Sequence, residues 1–169
     1  GLVLVSLGFV FVQLRKTKAQ KVVIEGQHEK LNESHREITD SINYAKRIQD
    51  ALMTSAVYIK DVLPESFILF NPKDVVSGDF YWVYRSPKGQ VYFTVADCTG
   101  HGVPGAFMSM IGTSLLNEFI IENNLEDTAE ILTKMREQII KSLDQKGLQG
   151  ENKDGMDMAL CSFDLKNNK

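Results

Sequence analysis

The stretch "VADCTGHGVPGAFMSM", residues 95–110, crowds an aspartate, a histidine and three glycines into the place where a strand hands over to a helix. Asp97 stands at the end of an alternating apolar run, and "CTGHG" is a tight connection into the helix that follows. An acid, a flexible backbone and a helix N-terminus then converge on one point, and convergent oxygens suit a hard divalent cation. Upstream, "VVSGDFYW" puts Asp79 at the start of another strand-like run. Pairing of the two runs as a hairpin brings their outer ends together and makes Asp79 and Asp97 cross-strand neighbours. Two carboxylates held that close repel unless a cation or a proton neutralises them. Gly78, Gly100 and Gly102 would let backbone and bound water approach closely. The same residues admit a plainer arrangement, in which Asp97 caps the following helix and the glycines serve tight turns.

The elements that must hold these residues follow from periodicity. "SFILFNP", "GDFYWVYRS" and "GQVYFTVAD" alternate and are rich in aromatic and β-branched residues, which predicts three strands. The second and third are joined through "SPKG", with proline and glycine at the second and fourth turn positions, which predicts a β-hairpin. "VPGAFMSMIGTSLLNEFIIENN" has apolar residues three and four apart, opens on Pro104 after Gly102 and ends in an asparagine pair, so it predicts a helix. A second helix is expected from Asp127 to Leu143, then a loop, "DQKGLQGENKDG", and a further strand, "MDMALCSFDL". Strands with helices packed on them make an α+β layered core.

The N-terminal third is different in kind. "GLVLVSLGFVFVQL", residues 1–14, carries no charge and is followed at once by Arg15, Lys16, Lys18 and Lys21, a stop-transfer pattern. A bilayer span needs about 20 apolar residues, and the chain opens on Gly1, so the run is expected to be the C-terminal part of a transmembrane helix. The positive-inside rule then puts the remainder in the cytoplasm, at the inner membrane. A buried apolar element is the other use of such a run, and no small-residue cleavage site of a signal peptide follows it.

Residues 15–56 form the expected linker. Ile24, Leu31, Ile38, Ala45 and Leu52 recur at an interval of seven, which predicts a long coiled-coil-like helix and a partner helix, most simply a second copy. The companion seam is His28, His35, Ile42 and Gln49, too polar for a tight zipper, so pairing is expected to be best over "ITDSINYAKRIQDAL". His28 and His35 lie seven apart, whereas helical metal pairs sit three or four apart, so they are expected on the surface or in the seam.

Composition narrows the partners. A chain of 169 residues, 43% hydrophobic and 24% charged, can bury one modest core. A net charge of -3, with no aromatic-interleaved basic stripe, argues against nucleic acid. Cys98 and Cys161 have neither metal-ligand spacing nor a disulfide-rich context, and both are expected to be small buried hydrophobes.

The set "DVVSGDFYW … VADCTGHGVPGAFMSM … DGMDMALCSFD" resembles the SpoIIE-type (RsbU-like) branch of the metal-dependent PPM serine/threonine protein phosphatases, with three separated motifs in the right order. The preceding "ITDSINYAKRIQDAL" resembles the linker helix of membrane-bound sensors that end in this domain. The resemblance implies an α-β-β-α sandwich, with residues 57–169 as the N-terminal part of the phosphatase domain. It implies hydrolysis of phosphoserine or phosphothreonine by water at two Mn²⁺ or Mg²⁺ ions, without a phosphoenzyme. Asp79 and Asp97 match metal-ligand positions. Cys98, where relatives of the wider superfamily carry glycine, matches a position that contributes its backbone carbonyl. His101 matches the histidine of the family's Gly-His-Gly, which suits a general acid toward the leaving alkoxide; a ring hydrogen-bonded within the turn is its other use. Asp154 and Asp157 fall in the third motif with no role that chemistry alone assigns, and their "DG" can be a simple turn. The implied substrate is a phosphorylated regulator such as an anti-sigma-factor antagonist. Relatives carry a later Asp-Gly that supplies another metal-binding carboxylate, and no such motif follows the third one up to Lys169. A phosphatase-like module that binds a partner without turnover, and a membrane-anchored coiled-coil scaffold, are the competing expectations.

Overall fold

The computed structural model describes residues 1–147 and 153–164. Helix α1 covers Leu2–Leu52. The chain divides into two compact units, Gly1–Ser41 and Ile42–Lys169.

The first unit is α1 alone. It runs without a break through the apolar stretch and the basic residues after it, as the lack of proline allows. Ile24, Leu31 and Ile38 are all well exposed along it. His28 and His35 lie on the surface as expected, each bonded one turn on, His28 to Asn32 and His35 to Thr39. Among the described residues no helix is long and apolar enough to cross a membrane.

The second unit opens with the last turns of α1, followed by a short helix α2, Ala56–Val62, capped by Ser55. Strands β1 (Phe80–Arg85) and β2 (Gln90–Cys98) form the expected hairpin, with Gly89 N–H bonded to Ser86 O at 2.9 Å and Gly89 at φ 93°. Helix α3, Gly102–Leu116, continues as a π-helical stretch, Asn117–Glu122, and α4 covers Thr128–Ser142 between Asp127 and Leu143 as caps. Strand β3, Met156–Asp164, pairs antiparallel with β2, giving the sheet order β1-β2-β3. The loop expected between α4 and β3 lies partly, and the tail from Leu165 wholly, outside the described residues.

Alternation decides what covers the sheet. Phe80 and Trp82 of β1, and Tyr92, Ala96 and Cys98 of β2, face α3 and α4, where they pack with Met108, Leu116, Phe119, Ile131 and Met135. Trp82 Nε1–H donates to Asn117 Oδ1 at 2.9 Å, which ties β1 to the helix where it widens into the π stretch. On the opposite face, Ile59 and Val62 of α2 cover Val83 and Val91. Among the described residues this is a mixed α+β arrangement of the expected class, a three-stranded sheet with α3 and α4 on one face and the short α2 on the other.

Two expectations are corrected. "SFILFNP" forms no strand: residues 66–72 are irregular and Phe67 and Leu69 are 88% and 89% exposed, because no described strand offers the ladder partners that an alternating run requires. Cys161 is exposed, since it falls on the sheet face away from α3 and α4, whereas Cys98 is buried as expected.

Candidate metal centre

The β1–β2 register pairs Phe80 with Ala96, so the next step outward sets Asp79 beside Asp97. The two carboxyls are close enough to share a hydrogen bond. Partial burial, then the charge of Asp97 and that hydrogen bond, push the Asp79 carboxyl above its ordinary value, although it remains in reach of solvent. Asp97 is therefore not a helix cap. It lies within β2, and the residue at the N-cap of α3 is His101, whose side chain makes no capping bond.

Asp157 joins the row from the other side. It stands directly opposite Asp97 on β3, so both side chains leave the same sheet face, the one turned away from α3. The "DG" before it is held to the site: Thr99 N–H donates to Gly155 O at 2.9 Å and Gly155 N–H to Thr99 Oγ1 at 3.1 Å. Asp154 contributes its carbonyl, which accepts from Gln145 Nε2 at 2.7 Å.

The connection from β2 to α3 folds back on the loop before β1. Gly100 and Gly102 have φ of 87° and 62°, a region that side chains with a Cβ rarely adopt. Gly78 is needed for closeness: a Cβ there would lie 2.7 Å from Gly100 O and 3.2 Å from Cys98 O. The Cys98 carbonyl thus turns toward the Asp79 loop. The Cys98 side chain packs in the core with α3 and α4, where burial first, and then Asp79 and Asp97, push the thiol up to about 12.

Gly105, which the sequence did not single out, completes the contact; its Cβ would lie 2.6 Å from Gly100 O and 2.9 Å from Gly78 Cα. Alanine in a helix gains about 1 kcal/mol over glycine, but forcing a methyl between backbone atoms costs about 1–3 kcal/mol. Because neither neighbour is a side chain that can swing aside, Gly105→Ala is expected to destabilise by about 2 kcal/mol, read as a lower urea midpoint. A raised midpoint would show that the loops part freely.

Two more residues belong here that sequence reasoning missed or misplaced. Asp74 Oδ2 lies 2.8 Å from His101 Nδ1. Gln49, expected in a coiled-coil seam, is 3% exposed inside this unit. Its Nε2 donates to Ser77 O at 2.6 Å and Ser109 Oγ at 2.8 Å, and its Oε1 accepts from Ser77 N–H at 3.0 Å. A glutamine at heptad spacing before a domain was the available signal, though a pattern search assigns it to the seam.

The paired Asp79 and Asp97 carboxyls supply oxygen donors of the kind that suits a hard divalent cation. Among the described residues no group of three or more acidic, histidine or cysteine side chains is placed to hold a metal ion, so water or other donors would fill the remaining positions.

Comparison with known proteins bears on the fold and the family. A sequence model of the family described as Stage II sporulation protein E (SpoIIE) matches residues 87–169, a stretch that includes Asp97, His101 and Asp157. Among solved structures, the SiaA-PP2C domain of Pseudomonas aeruginosa superposes with a TM-score of 0.63 at 34% identity, over 75% of this chain. The chain spans about half the length of that relative, 49%. No curated protein matches. With hairpin, acid row and Gly-His-Gly connection in one arrangement, the chain matches part of a phosphatase domain of the SpoIIE/PP2C type.

Proposed function

We propose that this chain belongs to a metal-dependent phosphatase that removes phosphate from serine or threonine of a regulatory protein. The observation that carries the reading is the Asp79–Asp97 pair at the open ends of the hairpin. Mn²⁺ or Mg²⁺, two ions by family resemblance, would be held by Asp79, Asp97 and the Cys98 carbonyl and would supply charge shielding and acidify water.

The chain's own residues account for the rest of the step. A water oxygen bonds to phosphorus as the bond from phosphorus to the seryl or threonyl oxygen breaks, and the bonding pair leaves on that oxygen. His101 donates the proton that converts this alkoxide to an alcohol. The proton shed by the attacking water returns the ring to its starting state. The carboxylates remain ionised throughout.

Control is assigned to α1. Residues 1–14 fit the end of a membrane-spanning helix and residues 15–56 a linker that pairs with a second copy, with the catalytic part in the cytoplasm. Gln49 supports this reading, because its amide joins the last turns of α1 to the loop that ends at Asp79. A phosphorylated anti-sigma-factor antagonist is a suitable substrate class.

The test is release of phosphate from a phosphoserine peptide by the full-length protein. Turnover that requires Mn²⁺ and stops on chelation is expected. A folded protein that binds the phosphopeptide but never releases phosphate would instead identify a binding module.

A further inference from the structure

We propose that Asp74 is the positioning residue for His101: its carboxylate accepts a hydrogen bond from Nδ1–H, fixes the ring, and leaves Nε2 as the nitrogen that meets the leaving oxygen. The inference rests on the phosphatase reading above and adds a residue to it.

Geometry supports the assignment in three ways. First, the Nδ1 to Oδ2 distance is 2.8 Å, the length of a charge-assisted bond. Second, the ring is not spent on the fold: it sits at the N-cap of α3 without capping it, and its side chain is 70% exposed. An exposed pair of this kind adds little to stability in water, so its consequence lies in orientation. Third, Asp74 is held from its own loop. Val76 is buried, Ser77 is gripped by Gln49, and Gly78 lies against the Gly100 and Cys98 carbonyls. The same anchored loop therefore sets Asp79 against Asp97 at one end and Asp74 against His101 at the other. On the facing loop, Gly102 lies alongside the pair: a Cβ there would meet Asp74 Oδ2 at 3.5 Å, an ordinary contact.

The proton inventory is simple. In the acid form both ring nitrogens carry a proton; Nδ1–H stays bonded to Asp74, which stays ionised, while the Nε2 proton passes to the alkoxide and leaves a neutral ring protonated on Nδ1. A seryl alkoxide is a poor leaving group and needs that proton; a nitrophenolate does not. Loss of Asp74 must therefore fall unevenly on the two kinds of substrate.

The experiment uses the full-length protein with Asp74→Ala, His101→Asn and the double variant, measured with a phosphoserine peptide and with p-nitrophenyl phosphate, both in Mn²⁺. In parallel, ring ¹⁵N shifts of His101 report which nitrogen carries the proton. Neutral His101 is expected to hold its proton on Nδ1, and Asp74→Ala to release it to a mixture of both tautomers. Turnover of the peptide should fall about 10-fold further than turnover of the nitrophenyl ester, in the range expected for a residue that orients a functional group. In the His101→Asn background Asp74→Ala should add less than about 2-fold, because both act through one ring. Equal losses on both substrates, a full loss in the His101→Asn background, or an unchanged ring tautomer would each overturn the assignment. Wild-type protein that hydrolyses neither substrate would overturn the phosphatase reading and the acid role with it, whereas the tautomer measurement still decides separately whether Asp74 sets the imidazole.

Discussion

Asp79→Asn is expected to reduce Mn²⁺-dependent turnover by about 10³-fold, equivalent to about 4 kcal/mol of lost transition-state stabilisation, while making the metal-free protein more stable. The two effects share one cause. Without a cation, Asp79 sits beside Asp97 with its carboxyl pushed above the ordinary value, first by burial and then by its neighbour's charge. A group raised in the folded state contributes stability that is present in acid and lost as pH rises through the raised value. The metal-free wild type therefore carries its repulsion at neutral pH, and asparagine removes it. Thermal melts of chelated protein should show the variant's advantage growing from about pH 4, near the unperturbed carboxyl value, toward pH 7. Adding Mn²⁺ should reverse the order, because a ligand that binds only the folded state stabilises only the protein that can bind it. A variant that loses stability without metal, or that gains as much from Mn²⁺ as wild type does, would remove Asp79 from the metal centre.

The hairpin and its acid pair were legible because both rest on local rules. Turn chemistry at Ser86–Gly89 fixed the register, and the register fixed the meeting of Asp79 with Asp97. Helix α4 was legible to its caps, since Asp127 and Leu143 bound a clean amphipathic pattern. "SFILFNP" was not, because alternation shows that a segment can be a strand and says nothing of whether a neighbour is there to pair with it. Asp74 and Gln49 were missed for a related reason. Their partners lie 27 and 28 residues away, and no sequence period marks contacts between an irregular loop and other elements. Asp157 was singled out as part of a motif, but its place opposite Asp97 depends on how β3 adds to the sheet, a pairing that turn rules do not set.

Gln49→Leu is expected to cost about 3 kcal/mol of stability, from unmet buried groups at about 1–3 kcal/mol each, and to raise the Mn²⁺ needed for half-maximal turnover by about 10-fold. Leucine keeps most of the volume, so the loss is one of hydrogen bonds rather than packing. Ser77 N–H loses its acceptor outright, whereas Ser77 O keeps a donor in Ser109 Oγ at 3.1 Å. The irregular loop around Ser77 has no strand ladder to take over that N–H, and buried backbone groups without a partner are costly. Ser109→Ala should therefore cost less, about 1 kcal/mol, because Ser77 N–H remains bonded to Gln49. The double variant should fall short of the sum, as expected for members of one network. Ile48→Ala, one residue earlier and 43% exposed, supplies the comparison for general damage to α1 and should cost under about 0.5 kcal/mol. Urea unfolding of the four proteins separates these outcomes: equal losses for Gln49→Leu and Ile48→Ala would mean that α1 supports the domain by packing alone. The predicted order would instead identify one amide as the link between the end of α1 and the loop that carries Asp74 and Asp79, so that a shift of this turn reaches both ends of the site together.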